Sequence, residues 1–299
     1  GQINTSGTIG INASALAAAT SALFIDAALK SDAAINVDSG AANDVIIATQ
    51  GNDVVQGNAG QDVIFGGLGD DSLGGGAGTD LLQGEAGADI LVGGAGQDLL
   101  SGGAGDDSLD GGADGDVADF SDAGSGVTVD LGAGTATGAD SGNDSLTSIE
   151  IVQGTAQADD ISLADGIDGQ AAVGGAGNDT LTGGDNAADA LLGQLGDDLI
   201  NAGSGDDILE GGGGNDTLFG DAGADELAGD AGDDLLSGGA GDDTIEGDSV
   251  ADADLALTFD GIDDSAILPG FSGLSGTDDA TFEAWLEPGA TQDMAVFDT

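Results

Sequence analysis

The sequence predicts an all-β chain of very short strands stacked in parallel as a solenoid. Three observations carry that reading. Aspartate recurs at intervals of nine at Asp44, Asp53, Asp62, Asp71, Asp80, Asp89, Asp98 and Asp107, and a second ladder with one longer step runs through Asp179, Asp189, Asp198, Asp207, Asp216, Asp225, Asp234 and Asp243. An aliphatic residue, such as Ile46, Val55, Leu181 or Leu191, stands two positions after every one of these sixteen aspartates. Glycine stands two positions before fourteen of the sixteen, in a chain with 60 glycines among 299 residues, so the pattern is one of phase and not of composition.

The unit reads G-G-x-G-x-D-x-U-x, with U a large aliphatic, as in Gly102 to Asp110 (GGAGDDSLD) and Gly238 to Glu246 (GGAGDDTIE). Its six glycine-rich positions allow the backbone to turn sharply with positive φ, and its last three form a very short strand. Proline is absent from both ladders, as paired strands require.

The charge balance asks what holds such a stack together. The chain carries 57 Asp and Glu against one basic residue, Lys30, for a formal net charge of -56. Self-repulsion on this scale opposes compaction, yet 39% of the residues are hydrophobic, too many for a plain acidic tail. Oxygen-seeking cations reconcile the two, because Ca²⁺ takes carboxylate and carbonyl oxygens and becomes part of the fold.

Composition also excludes function classes. With no His and no Cys there is no zinc site, thiolate nucleophile, disulfide or Ser/His/Asp triad in these residues, and the expectation is that the chain is not an enzyme. The dense carboxylates are accounted for by the repeat and not by glycosidase pairs. Nucleic acid and anionic lipid are bound chiefly through Lys and Arg, so neither is an expected partner. No apolar run approaches the ~18 residues of a membrane span, and Gly1 to Ser6 lacks the basic start of a signal peptide.

The phased nonapeptides resemble the RTX family of hemolysin-type calcium-binding repeats. That resemblance implies a right-handed parallel β-roll, a Ca²⁺-binding role, and export by a bacterium to the extracellular space or cell surface. Two nonapeptides make one 18-residue coil, so each aspartate lies over the one a coil further on, at roughly the 4.8 Å spacing of strands. An ion about 2.4 Å from each of two such carboxylates fits that gap. This places Asp44, Asp62, Asp80 and Asp98 on one edge and Asp53, Asp71, Asp89 and Asp107 on the other. In the second block Asp179, Asp198, Asp216 and Asp234 stand opposite Asp189, Asp207, Asp225 and Asp243. The expectation is up to about twelve Ca²⁺ ions, with turn carbonyls completing each shell as they do in the proteins it resembles. The ten-residue unit at 183–192 makes the gap between Asp179 and Asp198 irregular.

Side chains flanking U face outward. On one sheet of the first block these are Val45, Val63, Leu81 and Leu99 before U and Ile47, Phe65, Gln83 and Ser101 after it, an aliphatic ladder where water is expected. The expectation is that another segment covers it, with a docking surface as the alternative. The other sheet shows Val54, Ser72, Ile90 and Ser108, a milder mixture.

Five segments follow. Residues 1–38 read as a β-rich N-terminal cap, with a short helix over Ala13 to Ala19 as the alternative. Residues 39–116 form the first calcium-binding block and 117–153 a spacer with strands near 127–131 and 149–152. Its stretch DFSDAGSGVTVDLGAGTATG resembles the spacer found between RTX blocks. Residues 154–247 form the second block, opened by a worn repeat, GTAQADDISL, so that Asp116 and Asp159 are weaker ligand candidates. Residues 248–299 resemble the opening of a laminin-G or concanavalin A-like jelly roll on Phe259, Asp260, Gly261, Trp285 and Pro288. Ser265 departs from that pattern, and about 50 residues are too few for such a sandwich, which predicts an incomplete segment there.

The functional expectation is a calcium-binding structural module of a secreted or surface protein that folds on export, such as an adhesin spacer. A glycan or protein ligand would then be met through further domains. The alternative is the secretion and folding appendage of an exported protease or polysaccharide-active enzyme whose active site lies outside these residues.

Overall fold

A computed structural model describes residues 9–12, 24–26, 33–246, 256–258 and 265–267. Among them every regular element is a β-strand, and the strands form two sheets, one of fifteen strands and one of thirteen. Outside the spacer, successive strands alternate between the sheets, and each pairs in parallel with the strand one coil away. Val45–Ile47, Val63–Leu68, Leu81–Ala86 and Leu99–Ala104 stack on the thirteen-stranded sheet with Val45 on Val63, Val63 on Leu81 and Leu81 on Leu99. The pairing offset is 18 residues, the coil length expected from two nonapeptides.

The core follows from the same register. Ile46, Ile64, Leu82 and Leu100 make one column and Val55, Leu73, Leu91 and Leu109 the column facing it, none more than 1% exposed. Each such side chain contributes about 1.5 to 3 kcal/mol when fully buried. The repeat concentrates that burial on one residue in nine.

The glycine pattern has a conformational cause that differs by position. Two residues before aspartate, Gly78 adopts φ 134 and Gly105 φ 144, beyond the left-handed region that L-residues tolerate. The second glycine of the unit is less demanding, since Asn58, Glu85 and Gln194 occupy it with φ of 73, 72 and 78. The motif is therefore strict at one turn glycine and loose at the other.

The spacer does not divide the chain into two rolls. On the thirteen-stranded sheet Val117–Asp119, Ile151–Gln153 and Ala171–Ala176 pair directly in parallel, carrying the sheet straight through. On the other sheet Gly142–Thr147 adds in parallel to Ser108–Ala113, and Thr135–Gly138 and Val127–Asp130 follow as antiparallel strands. Val127–Asp130 then pairs in parallel with Asp160–Ser162, which restores the strand direction. Leu146, Val129 and Ile161 keep the core filled across this meander.

The ends also join the solenoid. Ile9–Asn12 and Phe24–Asp26 pair in parallel with the first coil. The helical alternative over Ala13 to Ala19 lies outside the described residues. Ala256–Thr258 and Ser265–Ile267 add one strand to each sheet in parallel register. Phe259, Asp260, Gly261, Trp285 and Pro288 lie outside the described residues.

The outward faces correct one expectation. Val45, Val63, Leu81, Leu99 and Phe65 are half-buried, because in-register strands set like side chains directly above one another. The sheet expected to be milder is the more exposed one in the first block, with Val54 at 40%, Ile90 at 51% and Val92 at 41%. Small neighbours explain it: Val54 and Ile90 stack on Ser72, and Val92 on Gly74, which cover little.

Candidate metal centre

All sixteen ladder aspartates are at most 3% exposed, each just before a strand. Along each line, one carboxylate oxygen of the next aspartate accepts the N–H of the aspartate one coil before. The Asp44 N–H donates to Asp62 Oδ1 at 2.7 Å, Asp62 N–H to Asp80 at 2.7 Å and Asp80 N–H to Asp98 at 2.8 Å. The opposite edge repeats this from Asp53 to Asp71, Asp89 and Asp107. In the second block the lines run from Asp179 through Asp198 and Asp216 to Asp234, and from Asp189 through Asp207 and Asp225 to Asp243. The direct contact between coils is thus amide to carboxylate, and the second oxygen is left for another partner.

That second oxygen is buried and accepts no hydrogen bond in Asp62, Asp71, Asp80, Asp89, Asp98, Asp107, Asp179, Asp198, Asp207, Asp216 and Asp225. It faces the glycine five residues earlier. A Cβ on Gly66 would collide with Asp71 Oδ2 and stand 2.9 Å from the carbonyl oxygen of Gly84 in the next coil. Gly57 is placed likewise against Asp62 Oδ2 and the Gly75 carbonyl (2.7 Å), and Gly220 against Asp225 Oδ2 and the Gly238 carbonyl (2.5 Å). A carboxylate oxygen and a carbonyl oxygen from adjacent coils therefore converge with no donor between them. Ala202 takes the glycine's place before Asp207.

Electrostatics point the same way. Burial pushes the Asp71 and Asp225 carboxyls up to about 7 and those of Asp62, Asp89, Asp179, Asp207 and Asp216 up to about 6. The amide hydrogen bond opposes the rise and neighbouring aspartates add to it. Burial also raises Asp80, Asp98, Asp107, Asp189 and Asp198. Anionic oxygens facing carbonyls in a donor-poor cradle suit a hard divalent cation. Among the described residues no three Asp or Glu side chains cluster as a metal site by themselves, so backbone carbonyls would have to supply most of any shell.

Some rungs are built differently. Asp53 Oδ2 accepts the Thr49 N–H at 2.7 Å, its Oδ1 accepts the Ile35 N–H at 2.6 Å, and the Thr49 hydroxyl reaches both oxygens. Asp159 repeats this with the Thr155 N–H at 2.6 Å, the Val127 N–H at 2.7 Å and the Thr155 hydroxyl at 3.0 Å. Before Asp44, Ser39 replaces the cradle glycine and its hydroxyl donates to the Gly57 carbonyl. At Asp189 the Gly184 N–H takes one oxygen at 2.7 Å.

The longer unit at 183–192 does not disturb the gap where irregularity was expected. Asp179 N–H meets Asp198 Oδ1 at 2.8 Å like any other rung, and the irregularity falls on Asp189. On that edge the position one coil earlier is held by Gln170, whose Oε1 accepts the Ala164 N–H.

Both lines continue into the spacer through residues that periodicity alone did not single out. Asp107 N–H donates to Asp144 Oδ1, and Asp116 N–H to Glu150 Oε2. Burial pushes the Asp144 carboxyl up to about 7 and Asp116 up to about 6. The signal for Asp144 was present as a local G-x-D-x-L over 142–146, displaced from the period by the meander.

Comparison with known proteins agrees with this geometry. A family model for the RTX calcium-binding nonapeptide repeat (4 copies) matches residues 38–73, 71–100, 83–118, 172–187, 184–218 and 219–253, more than half of the chain. No curated protein matches it significantly.

Proposed function

Because the chain belongs to the RTX calcium-binding nonapeptide repeat family and is a calcium-binding β-roll module, we propose that it is a structural part of an exported protein that winds up only where calcium is abundant. The observation that carries this reading is the row of buried, unpartnered Oδ2 atoms, which in Asp62, Asp71, Asp89, Asp98, Asp198 and Asp225 share a glycine cradle with a carbonyl of the next coil. Bound calcium would supply the positive charge that a chain with one basic residue lacks. Asp62, Asp71, Asp80, Asp89, Asp98, Asp107, Asp179, Asp198, Asp207, Asp216 and Asp225 would hold it through Oδ2, and the cradle glycines through their carbonyls. Asp53, whose oxygens are filled by Thr49 and Ile35, falls outside this set. Fewer ions than twelve follow.

The module's role is mechanical, and the RTX β-roll is typically structural rather than catalytic. With dissociation constants of roughly 10⁻⁴ to 10⁻³ M, about 1 to 10 mM calcium stabilises each site by ~0.4 to ~2.7 kcal/mol, whereas submicromolar calcium contributes almost nothing. Summed over coupled rungs, that difference separates an expanded chain inside a cell from a stiff roll outside it. Among the described residues no helix is long and apolar enough to cross a membrane. Circular dichroism across a calcium titration tests the reading. The β signal should grow with calcium, and a fully folded spectrum in excess chelator overturns it.

A further inference from the structure

We propose that the junction of the first block with the spacer holds a further calcium-class site, built from Asp116, Glu150 and the Ser148 carbonyl. This rests on the calcium reading of the roll but uses two residues outside the repeat and outside the family match.

The junction reproduces the cradle from different parts. Asp116 is 0% exposed, and its Oδ1 accepts the Asp98 N–H at 2.8 Å as in the regular rungs. Its Oδ2 is buried without a hydrogen-bond partner. Gly111, five residues earlier, leaves the usual space: a Cβ there would stand 2.6 Å from Asp116 Oδ2 and collide with the Ser148 carbonyl oxygen. Ser148 thus takes the role that the next coil's glycine carbonyl plays elsewhere, and it does so with φ 51, a left-handed conformation uncommon for serine. Glu150 stands where the next ladder aspartate would, its Oε2 accepting the Asp116 N–H at 3.0 Å. The Glu150 and Ile151 N–H groups both donate to the Asp116 carbonyl, which fixes the two segments against each other. The buried, unpartnered Asp116 Oδ2 and the Ser148 carbonyl therefore share one cradle, with the Glu150 carboxylate held beside it on the Asp116 N–H.

One coil further, the same edge shows what the site looks like without a cation. Gln170 is 2% exposed, its Oε1 accepts the Ala164 N–H, and its amide nitrogen lies 3.5 Å from the Ile149 carbonyl. A neutral amide closes that rung with the chain's own donors and acceptors. At Asp116 no protein donor does this, so a divalent cation is the group whose chemistry completes it.

Hydrogen-exchange mass spectrometry of the full chain across a calcium series tests the site, comparing wild type with Glu150→Gln. The amide keeps an acceptor for the Asp116 N–H and removes only the charge. Peptides covering 111–120 and 146–153 should need roughly tenfold more calcium for protection in the variant, because affinity follows ligand charge. Peptides within 62–100 and 198–235 should respond as in wild type. In chelator the variant's 146–153 peptide should be protected at least as well as wild type, since a like charge beside Asp116 has gone. Equal calcium dependence of 146–153 in the two proteins, with the repeat peptides still responding, overturns this site alone. Repeat peptides that ignore calcium overturn the calcium reading as a whole.

Discussion

Asp89 and Asp53 occupy the same position of the same nonapeptide and are both 1% exposed, but they are satisfied by different means. Asp89 accepts one amide hydrogen bond and turns its other oxygen into a glycine cradle that offers only the Gly102 carbonyl. Asp53 has Thr49 four residues before it and receives two backbone N–H groups and a hydroxyl. Thr155 and Asp159 repeat the second arrangement down to the turn itself, since the Gln157 N–H donates to the Thr155 hydroxyl as the Gly51 N–H does to that of Thr49. The difference teaches that the aspartate alone does not define a cation site. The two positions that follow U and its neighbour decide whether the carboxylate is closed by the chain or left open to an ion. The threonine-capped rungs sit in the first coil, at Asp53, and just after the spacer meander, at Asp159, so each block has near its start a rung that its own hydrogen bonds complete, at about 1 kcal/mol or somewhat more each for bonds to a carboxylate.

Three measurements break or sharpen this contrast. The largest effect is expected from pH, because many open rungs titrate together. Burial raises Asp71, Asp144 and Asp225 to about 7 and Asp62, Asp89, Asp207 and Asp216 to about 6, above the usual value of 3.8. The folded roll then binds more protons than the unfolded chain between about pH 4 and pH 7. In chelator, stability is fully present below that window and is lost as pH rises through it. With saturating calcium the order reverses, because protons compete for the same oxygens. Melting temperatures at pH 5 and pH 8, with chelator and with calcium, check both signs; a chelated roll that melts higher at pH 8 contradicts the assignment of open rungs.

A smaller, site-resolved effect comes from paired substitutions. Asp89→Asn should lower calcium-saturated stability by about 1 to 2 kcal/mol and leave chelated stability unchanged or improved. Asp53→Asn should cost about 1 to 3 kcal/mol in both conditions, since an amide group would face the Thr49 or Ile35 N–H. Urea unfolding with and without calcium separates them, and a calcium-dependent loss at Asp53 would erase the distinction between the two kinds of rung. The smallest effect is Thr49→Val, which removes the hydroxyl and keeps the backbone bond. Its expected cost is about 1 kcal/mol in thermal unfolding, the same with calcium as without.

Much of this molecule was legible in the sequence because the repeat makes every local rule agree. The 18-residue register, the buried U columns and the burial of all sixteen aspartates follow from a period of nine, one inward aliphatic and turn glycines such as Gly78 that only glycine suits. The capped rungs were also written there, as threonine four residues before Asp53 and Asp159. Their meaning emerged only from hydrogen-bond geometry, since a period registers which residue recurs and not which oxygen is already filled. The milder face is the more exposed one for a related reason: exposure depends on the rungs above and below, and Ser72 and Gly74 leave Val54, Ile90 and Val92 uncovered.

By itself, then, the sequence determined a coiled parallel stack with a charge deficit that calls for cations, because period, polarity and turn chemistry are local properties of the chain. Only the tertiary structure decided that the two blocks share one pair of sheets, that the spacer carries one edge to Glu150 and the other to Asp144, and which carboxylate oxygens stay open. Those are contacts between residues 34 and 37 positions apart, joined across a meander whose length the local pattern does not encode. They form because each sheet needs its next strand, and the strand that arrives brings its own carboxylate to the edge.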